Sequence, residues 1–297
     1  MKFAYGAPVL SAPIADAFQS GEAIAGLGSA ADKAGFAAFS FSEHPAPPEK
    51  WRAAGHDAFD PFIALSFVAA ATSTLRIMTN AAILPYHNPF LLAKTVSTLD
   101  LLSGGRLILG VGTGYLKAEM SALGCPPELR NERFDEALAV MKQIWSGDVV
   151  SYEGSTFSAR EVRALPVPPQ RPHPPIWFGG NSRLSRLRAV NEGQGWMPFP
   201  NPRQYAHMAR TAALESIEDL EGMLNFMRAK AVEVGRTDPI DVMCVLPPTD
   251  NPDDHTELIE RYEALGVTWC HVNGKGRNLS EAADFISDYG DRVIAPA

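Results

Sequence analysis

Residues 75–115 read LRIMTNAAILPYHNPFLLAKTVSTLDLLSGGRLILGVGTGY. The run at 76–82 is short and apolar, which predicts a strand, whereas 89–102 has apolar residues at helical spacing. The Ser-Gly-Gly sequence at 103–105 ends that helix, and 106–111 predicts the next strand. A strand, a helix and a second strand in this order predict a β-α-β unit with parallel strands.

The same alternation continues on both sides of this unit. Further strands are predicted at 3–6, 38–42, 176–179, 196–199, 241–246 and 268–272. Further helices are predicted at 14–35, 61–71, 131–145, 183–192, 214–234, 253–265 and 279–288. Eight strands that alternate with helices in a chain of 297 residues favour a closed (β/α)8 TIM barrel over an open doubly wound sheet. We expect a single domain over residues 1–297.

The alternation is interrupted once, after the helix predicted at 131–145. Residues 147–157 predict a hairpin or an extended excursion. Residues 164–175 contain too many prolines for a helix or an inner strand. Because the strand–helix alternation resumes immediately afterwards, we interpret residues 147–175 as an insertion in the barrel and not as a linker between domains.

Composition excludes several classes of protein. The net charge of −8 argues against a nucleic-acid partner or an anionic membrane surface. Three cysteines without a CxxC motif argue against a disulfide framework, and reduced thiols favour a cytoplasmic location. The sequence has neither a signal peptide nor an apolar run of about 18 residues, so we expect no membrane span. The seven histidines lack the spacings of common metal motifs, so no metal site is predicted.

In a barrel of this kind, the loops after the strands build the active site. His44 ends the second predicted strand, and an imidazole can donate or accept a proton near neutral pH. The segment 110–114, Gly-Val-Gly-Thr-Gly, follows the fourth strand, where glycines let a ligand approach the backbone. A tight turn without a ligand explains these glycines equally well. The segment lacks the third glycine of a dinucleotide fingerprint.

A second glycine turn precedes a basic helix. Residues 179–182, Gly-Gly-Asn-Ser, lead into a helix that carries Arg183, Arg186 and Arg188. The unpaired N–H groups and the dipole of a helix N-terminus favour an anion, so the combination predicts a phosphate site. A solvated basic helix face is the alternative interpretation.

Five motifs in this order resemble those of the bacterial-luciferase-like flavin and deazaflavin oxidoreductases. The segment 75–115 carries the strongest resemblance. The other four are SEH at 42–44, RFDEALAVMKQIW at 133–145, YEG at 152–154 and PPIWFGGNS at 174–182. The resemblance covers residues 20–200 well and the C-terminal third loosely. It is specific for the family and not for a substrate.

The resemblance implies a (β/α)8 barrel with an insertion, which agrees with the strand count. It also implies that flavin mononucleotide (FMN) or the deazaflavin coenzyme F420 lies across the strand C-termini. The PYHNP and SGGRL segments are most similar to the F420-dependent branch, which moves a hydride to or from a small organic substrate. The alternatives are an FMN-dependent monooxygenase, a non-catalytic flavin- or phospholigand-binding barrel and, more remotely, a metal-dependent hydrolase. A homodimer is implied by the resemblance alone.

The resemblance also implies roles for individual residues. His44 is the first catalytic candidate, near the cofactor ring, and Tyr115 is the second. Tyr115 stands where some F420-dependent dehydrogenases carry a glutamate, which argues against a sugar-phosphate dehydrogenase. Asn80–Ala81 occupies the position of a non-proline cis peptide in many relatives. The predicted cofactor-binding residues are Ser42, Thr79, Asn80, Ala81, Gly112, Thr113, Gly114, Gly179, Gly180, Asn181 and Ser182.

Overall fold

A closed barrel of eight parallel strands forms the centre of the computed structural model, which describes residues 1–8, 16–53 and 57–295. In chain order the strands are β1 (Lys2–Gly6), β2 (Ala38–Phe41), β3 (Arg76–Thr79), β4 (Ala82–Ile83), β5 (Leu107–Gly112), β6 (Val150–Glu153), β7 (Ser158–Val162), β8 (Ile176–Gly179), β9 (Gly195–Met197), β10 (Asp241–Val245) and β11 (Trp269–Asn273). The barrel order is β3-β2-β1-β11-β10-β9-β8-β5, and pairing of β5 with β3 closes it. The predicted TIM barrel is confirmed.

Helices surround the barrel on the outside. They are α1 (Gly21–Lys33), α2 (Glu49–Arg52), α3 (Pro61–Ala71), α4 (Pro89–Leu102), α5 (Lys117–Ala122), α6 (Arg130–Trp145), α7 (Arg183–Glu192), α8 (Ala206–Ala209), α9 (Ile217–Glu233), α10 (Thr256–Ala264) and α11 (Leu279–Tyr289). The short helices α2, α5 and α8 were not predicted. Part of the predicted helix 14–35 falls on residues 9–15, outside the described residues. None of the helices in the described ranges is long and apolar enough to cross a membrane.

Local capping explains why the predicted helices begin where they do. The Asp60 carboxylate accepts hydrogen bonds from the N–H groups of Phe62 and Ile63, and proline follows it at position 61. Asn88 caps α4 in the same way, again with proline next. Each cap satisfies N–H groups that have no partner inside the helix. These helices therefore start at the residues that the sequence predicts.

The third strand differs from the prediction. The sequence predicts one strand over 76–82, but β3 ends at Thr79 and β4 begins at Ala82. Both pieces pair with β5, β3 with its first half and β4 with its last two residues. The peptide between Asn80 and Ala81 in the break is cis, which confirms the feature that the resemblance implied. The break exposes main chain at the C-terminal end of the barrel.

The insertion contains a hairpin formed by β6 and β7, which extends to Val162, beyond the bounds 147–157 predicted for a hairpin or an extended excursion. Glu136 of α6 holds the turn of the hairpin in place. Its carboxylate accepts hydrogen bonds from the N–H groups of Thr156 and Phe157 and from the Ser155 hydroxyl. Burial raises the pKa of Glu136, but these hydrogen bonds outweigh burial and keep the pKa below its usual range. The insertion is thus attached to the barrel through α6.

Large side chains fill the inside of the barrel below the strand C-termini. Trp177 and Trp269 pack edge to face, with 5.3 Å between the ring centroids, and Met78, Ile108 and Met243 surround them. All five side chains are buried. A filled interior leaves the C-terminal end of the barrel as the place for a binding site.

Arg106 joins the end of α3 to the start of the barrel strands. Its guanidinium donates to the carbonyl oxygens of Ala69, Thr72, Leu75 and Ser103 and to the Thr72 hydroxyl. We expect the substitution Arg106→Ala to lower the free energy of unfolding by about 3 kcal/mol, because several carbonyls at a helix end lose their donor. Urea denaturation followed by circular dichroism measures this loss.

Arg228→Ala is the matched control for this prediction. Arg228 is exposed and also donates to a main-chain carbonyl, that of Leu265. We expect its removal to cost less than about 1 kcal/mol, because exposed polar contacts contribute little. Equal losses in the two variants would contradict the role given to Arg106.

Candidate active site

A cavity of about 440 Å³ lies at the C-terminal ends of the barrel strands. Most of the predicted site residues line it, although they come from loops that are far apart in sequence. Those that line it are Ser42, His44, Asn80, Ala81, Gly112, Thr113, Gly114, Tyr115, Gly179, Gly180 and Ser182. The barrel therefore brings four predicted loops to one place.

Thr79 and Asn181 do not line the cavity. The Thr79 hydroxyl donates to the carbonyl oxygen of Gly110 at 2.7 Å, across two neighbouring strands. The Asn181 side chain donates to the carbonyls of Phe199 and Ala212 and accepts from the N–H of Phe199. Both side chains are fully buried. These two side chains hold the main chain next to the cavity in place, and their predicted contact with a cofactor stays a prediction.

One wall of the cavity consists mainly of main chain. Gly112, Gly114, Gly179 and Gly180 line it together with Ala81. A β-carbon added at Gly179 would lie 3.3 Å from the carbonyl oxygen of Val111. Without large side chains on this wall, a ligand can come close to the backbone. Such a surface leaves room for a flat ring.

His44 is paired with a buried carboxylate that the sequence did not reveal. Glu119 of α5 is 1% exposed, and its Oε2 lies 3.3 Å from Nδ1 of His44. The carboxylate also accepts hydrogen bonds from the N–H of Ala46 and the hydroxyl of Tyr86, both at 3.1 Å. A carboxylate accepts, so it favours the His44 tautomer that carries its proton on Nδ1. In that tautomer Nε2 is the basic nitrogen.

Tyr115 stands beside this pair. Its ring lies 6.1 Å from the His44 ring, at a steep angle to it. Burial raises the pKa of Tyr115 above its ordinary value, and the negative charge of Glu119 raises it further. Tyr115 therefore stays protonated at neutral pH.

A second buried carboxylate, Glu43, holds the segment after the strand break. Its Oε2 accepts from the N–H of Ile83 at 2.5 Å, and its Oε1 lies 2.8 Å from Nε2 of His87. Glu43 also lines the cavity. The adjacent residues Glu43 and His44 thus differ in role, because Glu43 holds main chain in place and His44 is oriented by Glu119.

Arginines gather at the end of the cavity near α7. Arg130, Arg188 and Arg210 all line it, together with Ser182 and Ser185 from the first turn of α7. Burial lowers the pKa of Arg130, and the positive charges of Arg210 and Arg188 lower it further. An anion bound between the guanidinium groups would relieve this repulsion. This end of the cavity is therefore a candidate phosphate site.

Arg188 contributes less to this site than its charge indicates. Its guanidinium forms two hydrogen bonds with the Asp135 carboxylate, at 2.7 and 2.9 Å, and lies over the Phe134 ring. Arg130 donates to the carbonyl oxygen of Gly114, which leaves its charge uncompensated. Arg130 and Arg210 are thus the cations that an anion would neutralise.

The structure changes the basis of the predicted phosphate site. Arg183 and Arg186 lie over the Phe226 ring and do not line the cavity. The N–H groups of Gly180 and Asn181 donate to protein acceptors, the carbonyl oxygen of Met197 and the Thr211 hydroxyl. The candidate site therefore depends on the start of α7 and on two arginines that the sequence analysis did not identify. One feature of the sequence could have identified Arg130. It stands in the first turn of α6, where acidic residues are usual.

The described residues contain no group of three or more His, Cys, Asp or Glu side chains that could hold a metal ion. The two carboxylate–histidine pairs near the cavity, His44 with Glu119 and His87 with Glu43, bring together two such side chains each. Both are hydrogen-bonded pairs.

Comparisons with known proteins identify the family. The family model described as "Luciferase-like monooxygenase" matches residues 1–288. The chain is 31% identical over 217 residues to an FMNH(2)-dependent dimethylsulfone monooxygenase of Pseudomonas putida. The match covers 72% of this chain and 55% of that enzyme. The chain thus spans about half the length of this relative.

Solved structures share the fold at lower identity. Monooxygenase RslO1 from Streptomyces bottropensis superimposes with a TM-score of 0.82 and 20% identity, with 99% of each chain covered. The coenzyme F420 dependent tetrahydromethanopterin reductase from Methanopyrus kandleri superimposes with a TM-score of 0.74 and 18% identity. The match covers 99% of this chain and 98% of that chain. The barrel, its cavity at the strand C-termini and the match over residues 1–288 lead to one conclusion: the chain belongs to the luciferase-like monooxygenase family of flavin-dependent oxidoreductases.

Proposed function

We propose that this protein is an F420-dependent oxidoreductase that transfers a hydride to or from a small organic substrate in the cavity. The observation that carries the proposal is the His44–Glu119 pair, which lies beside a cavity whose far end holds Arg130 and Arg210. Hydride transfer at a carbinol or carbonyl carbon requires a proton to move at the attached oxygen. A histidine held by a buried carboxylate supplies that proton transfer.

The protein's part in the reaction follows from the geometry of this pair. When bound, F420 supplies a ring carbon that accepts or gives the hydride. His44 takes the hydroxyl proton on Nε2 when an alcohol is oxidised, and it returns the proton in the reverse direction. Glu119 stabilises the imidazolium, and Tyr86 and Ala46 keep the Glu119 carboxylate in place. Tyr115 donates a hydrogen bond to the substrate oxygen.

The rest of the cavity would bind the cofactor. Arg130, Arg210 and the start of α7 would hold its phosphate, because they form the positive end of the cavity. The main-chain wall at Gly112 and Gly179 would face the ring. In this arrangement the arginines provide affinity, and His44 acts on the substrate.

An FMN-dependent monooxygenase is the second candidate, because the Pseudomonas relative is named as FMNH(2)-dependent. Titration of the purified protein with F420 and with FMN, followed by ligand fluorescence, separates the two. We expect F420 to bind with a dissociation constant in the micromolar range or below, and FMN to bind more weakly. Binding of FMN alone would overturn the proposal in favour of the monooxygenase. Binding of neither would overturn both.

The position of the phosphate can be tested with Ser182→Asp. Ser182 caps α7 by accepting a hydrogen bond from the N–H of Ser185, and aspartate is also a good cap, so the helix should be kept. The added negative charge should repel the phosphate and weaken cofactor binding by about tenfold or more, as measured by the same titration.

Ser216→Asp is the matched control for this variant. Ser216 caps α9 through the N–H of Asp219, and it does not line the cavity. We expect its cofactor affinity to equal that of the wild type. If Ser182→Asp also bound the cofactor normally, the phosphate would have to lie elsewhere.

A further inference from the structure

A second hollow of about 570 Å³, called the mouth hollow below, adjoins the cavity. It is formed by α2, the start of α5 and α8, and it shares Tyr115 and Arg210 with the inner cavity. Trp51 and Tyr115 form an aromatic wall, with 5.8 Å between their ring centroids, and Leu116 and Met208 add apolar surface. A molecule in the mouth hollow would therefore lie next to the His44–Glu119 pair.

The charged groups of the mouth hollow are all potential cations. Lys50, Lys117, His207 and Arg210 line it, and among the described residues no carboxylate does. None of these four side chains has a carboxylate partner within the described ranges. By contrast, Glu49 on the same short helix as Lys50 is paired with Arg52. In a chain with a net charge of −8, four basic side chains without acidic partners indicate a site for an anion.

The backbone at Arg210, which the mouth hollow shares with the inner cavity, also indicates an anionic ligand at this junction. Arg210 follows α8 with φ of 51° and ψ of 39°, in the left-handed region where glycine or asparagine is preferred. An arginine there costs about 1 kcal/mol relative to glycine. No hydrogen bond or ion pair of its side chain within the described residues compensates for this cost. A ligand that uses the guanidinium accounts for arginine at this position.

We propose that the mouth hollow binds the part of the substrate that extends out of the inner cavity, and that this part is an aromatic ring with a carboxylate or a similar anionic group. The aromatic ring would pack on Trp51 and Tyr115, and the anionic group would lie near Lys50 and Lys117. The proposal rests on the proposed function, because it names the substrate class for the same site. An anionic extension of the cofactor itself would have the same chemistry, so the test must separate the two sources.

The test compares 3-phenylpropionate with its uncharged amide, 3-phenylpropanamide. Trp51 reports binding, because Trp145, Trp177, Trp196 and Trp269 are each at most 2% exposed and Trp51 is partly exposed. We expect the acid to quench tryptophan fluorescence with a dissociation constant about tenfold lower than that of the amide. We also expect this preference to shrink as salt is added. The measurement is made with and without saturating cofactor.

The double variant Lys50→Gln/Lys117→Gln should bind the acid as weakly as the amide, with binding of the amide unchanged. Lys33→Gln is the matched control, because Lys33 lies at the end of α1 and does not line the mouth hollow. It should keep the preference for the acid.

Three results would overturn the proposal. The first is equal binding of acid and amide by the wild type, and the second is a double variant that keeps the preference for the acid. The third is a double variant that binds F420 more weakly but binds the acid normally, which would assign these lysines to the cofactor. Because the probe is also titrated without cofactor, failure of the F420 proposal would not by itself change this result.

Discussion

Replacing His44 with alanine is expected to lower kcat by about two to four orders of magnitude, while the affinity for the cofactor stays close to that of the wild type. In the proposed function the imidazole moves the proton, and a positioned general acid or base contributes a rate factor of about this size. The proposed phosphate site at Arg130 and Arg210 does not involve His44, so binding should persist. Steady-state kinetics with a substrate found by screening aromatic acids with a hydroxyl or carbonyl group measures kcat. Fluorescence titration measures affinity.

Glu119→Gln tests whether the carboxylate acts through His44. The amide can still accept a hydrogen bond from the N–H of Ala46, but it carries no charge to stabilise the imidazolium. We expect a smaller loss of kcat than for His44→Ala, together with a changed dependence of kcat on pH. A merely structural role would lower stability and leave the pH profile of kcat unchanged. Full activity in His44→Ala would remove this residue from the chemistry.

The second large effect is expected at Gly110, where two strands approach closely. A β-carbon on residue 110 would lie 2.0 Å from the carbonyl oxygen of Thr79 and 2.7 Å from the terminal methyl carbon of Met197. A main-chain oxygen cannot rotate away as a side chain can. We expect Gly110→Ala to lower the free energy of unfolding by about 3 kcal/mol or more, because β3 or β5 must shift. Urea denaturation measures the loss.

Gly112→Ala, in the same strand, is the control. Its β-carbon would lie 3.0 Å from the Cδ1 methyl of Ile83, at the end of a flexible side chain. We expect a loss of less than about 1.5 kcal/mol. Equal losses of stability in the two variants would show that the contact with the Thr79 carbonyl oxygen does not exclude a β-carbon at position 110.

The barrel was predictable because each of its strands carries a local signal. Residues 38–41 and 107–112 are short apolar runs, as expected for strands buried on both faces, and the Asp-Pro and Asn-Pro pairs mark the starts of α3 and α4. The break after Thr79 was not predicted as the end of a strand. Its local sequence is apolar on both sides, and the neighbour of Thr79 at the break, Gly110, is distant in sequence.

The site was predictable where a strand ends in a conspicuous motif, as at His44, Gly112 and Gly179. Glu119 and Arg210 were missed because their importance arises from neighbours in space. Glu119 meets His44 across 75 positions of the chain, and Arg210 meets the cavity from a short helix that was not predicted. Hydrophobic periodicity reports which face of an element is buried. It does not report which polar side chains from different elements meet.

The main-chain wall of the cavity has a consequence for how this protein responds to mutation. Alanine scanning works by deletion, and Gly112, Gly114, Gly179 and Gly180 have no side chain to delete. A scan by deletion would therefore find His44, Arg130 and other side chains and underestimate the main-chain wall. Only substitutions that add volume would reveal that wall, and in the course of evolution it can be blocked more easily than its polarity can be changed.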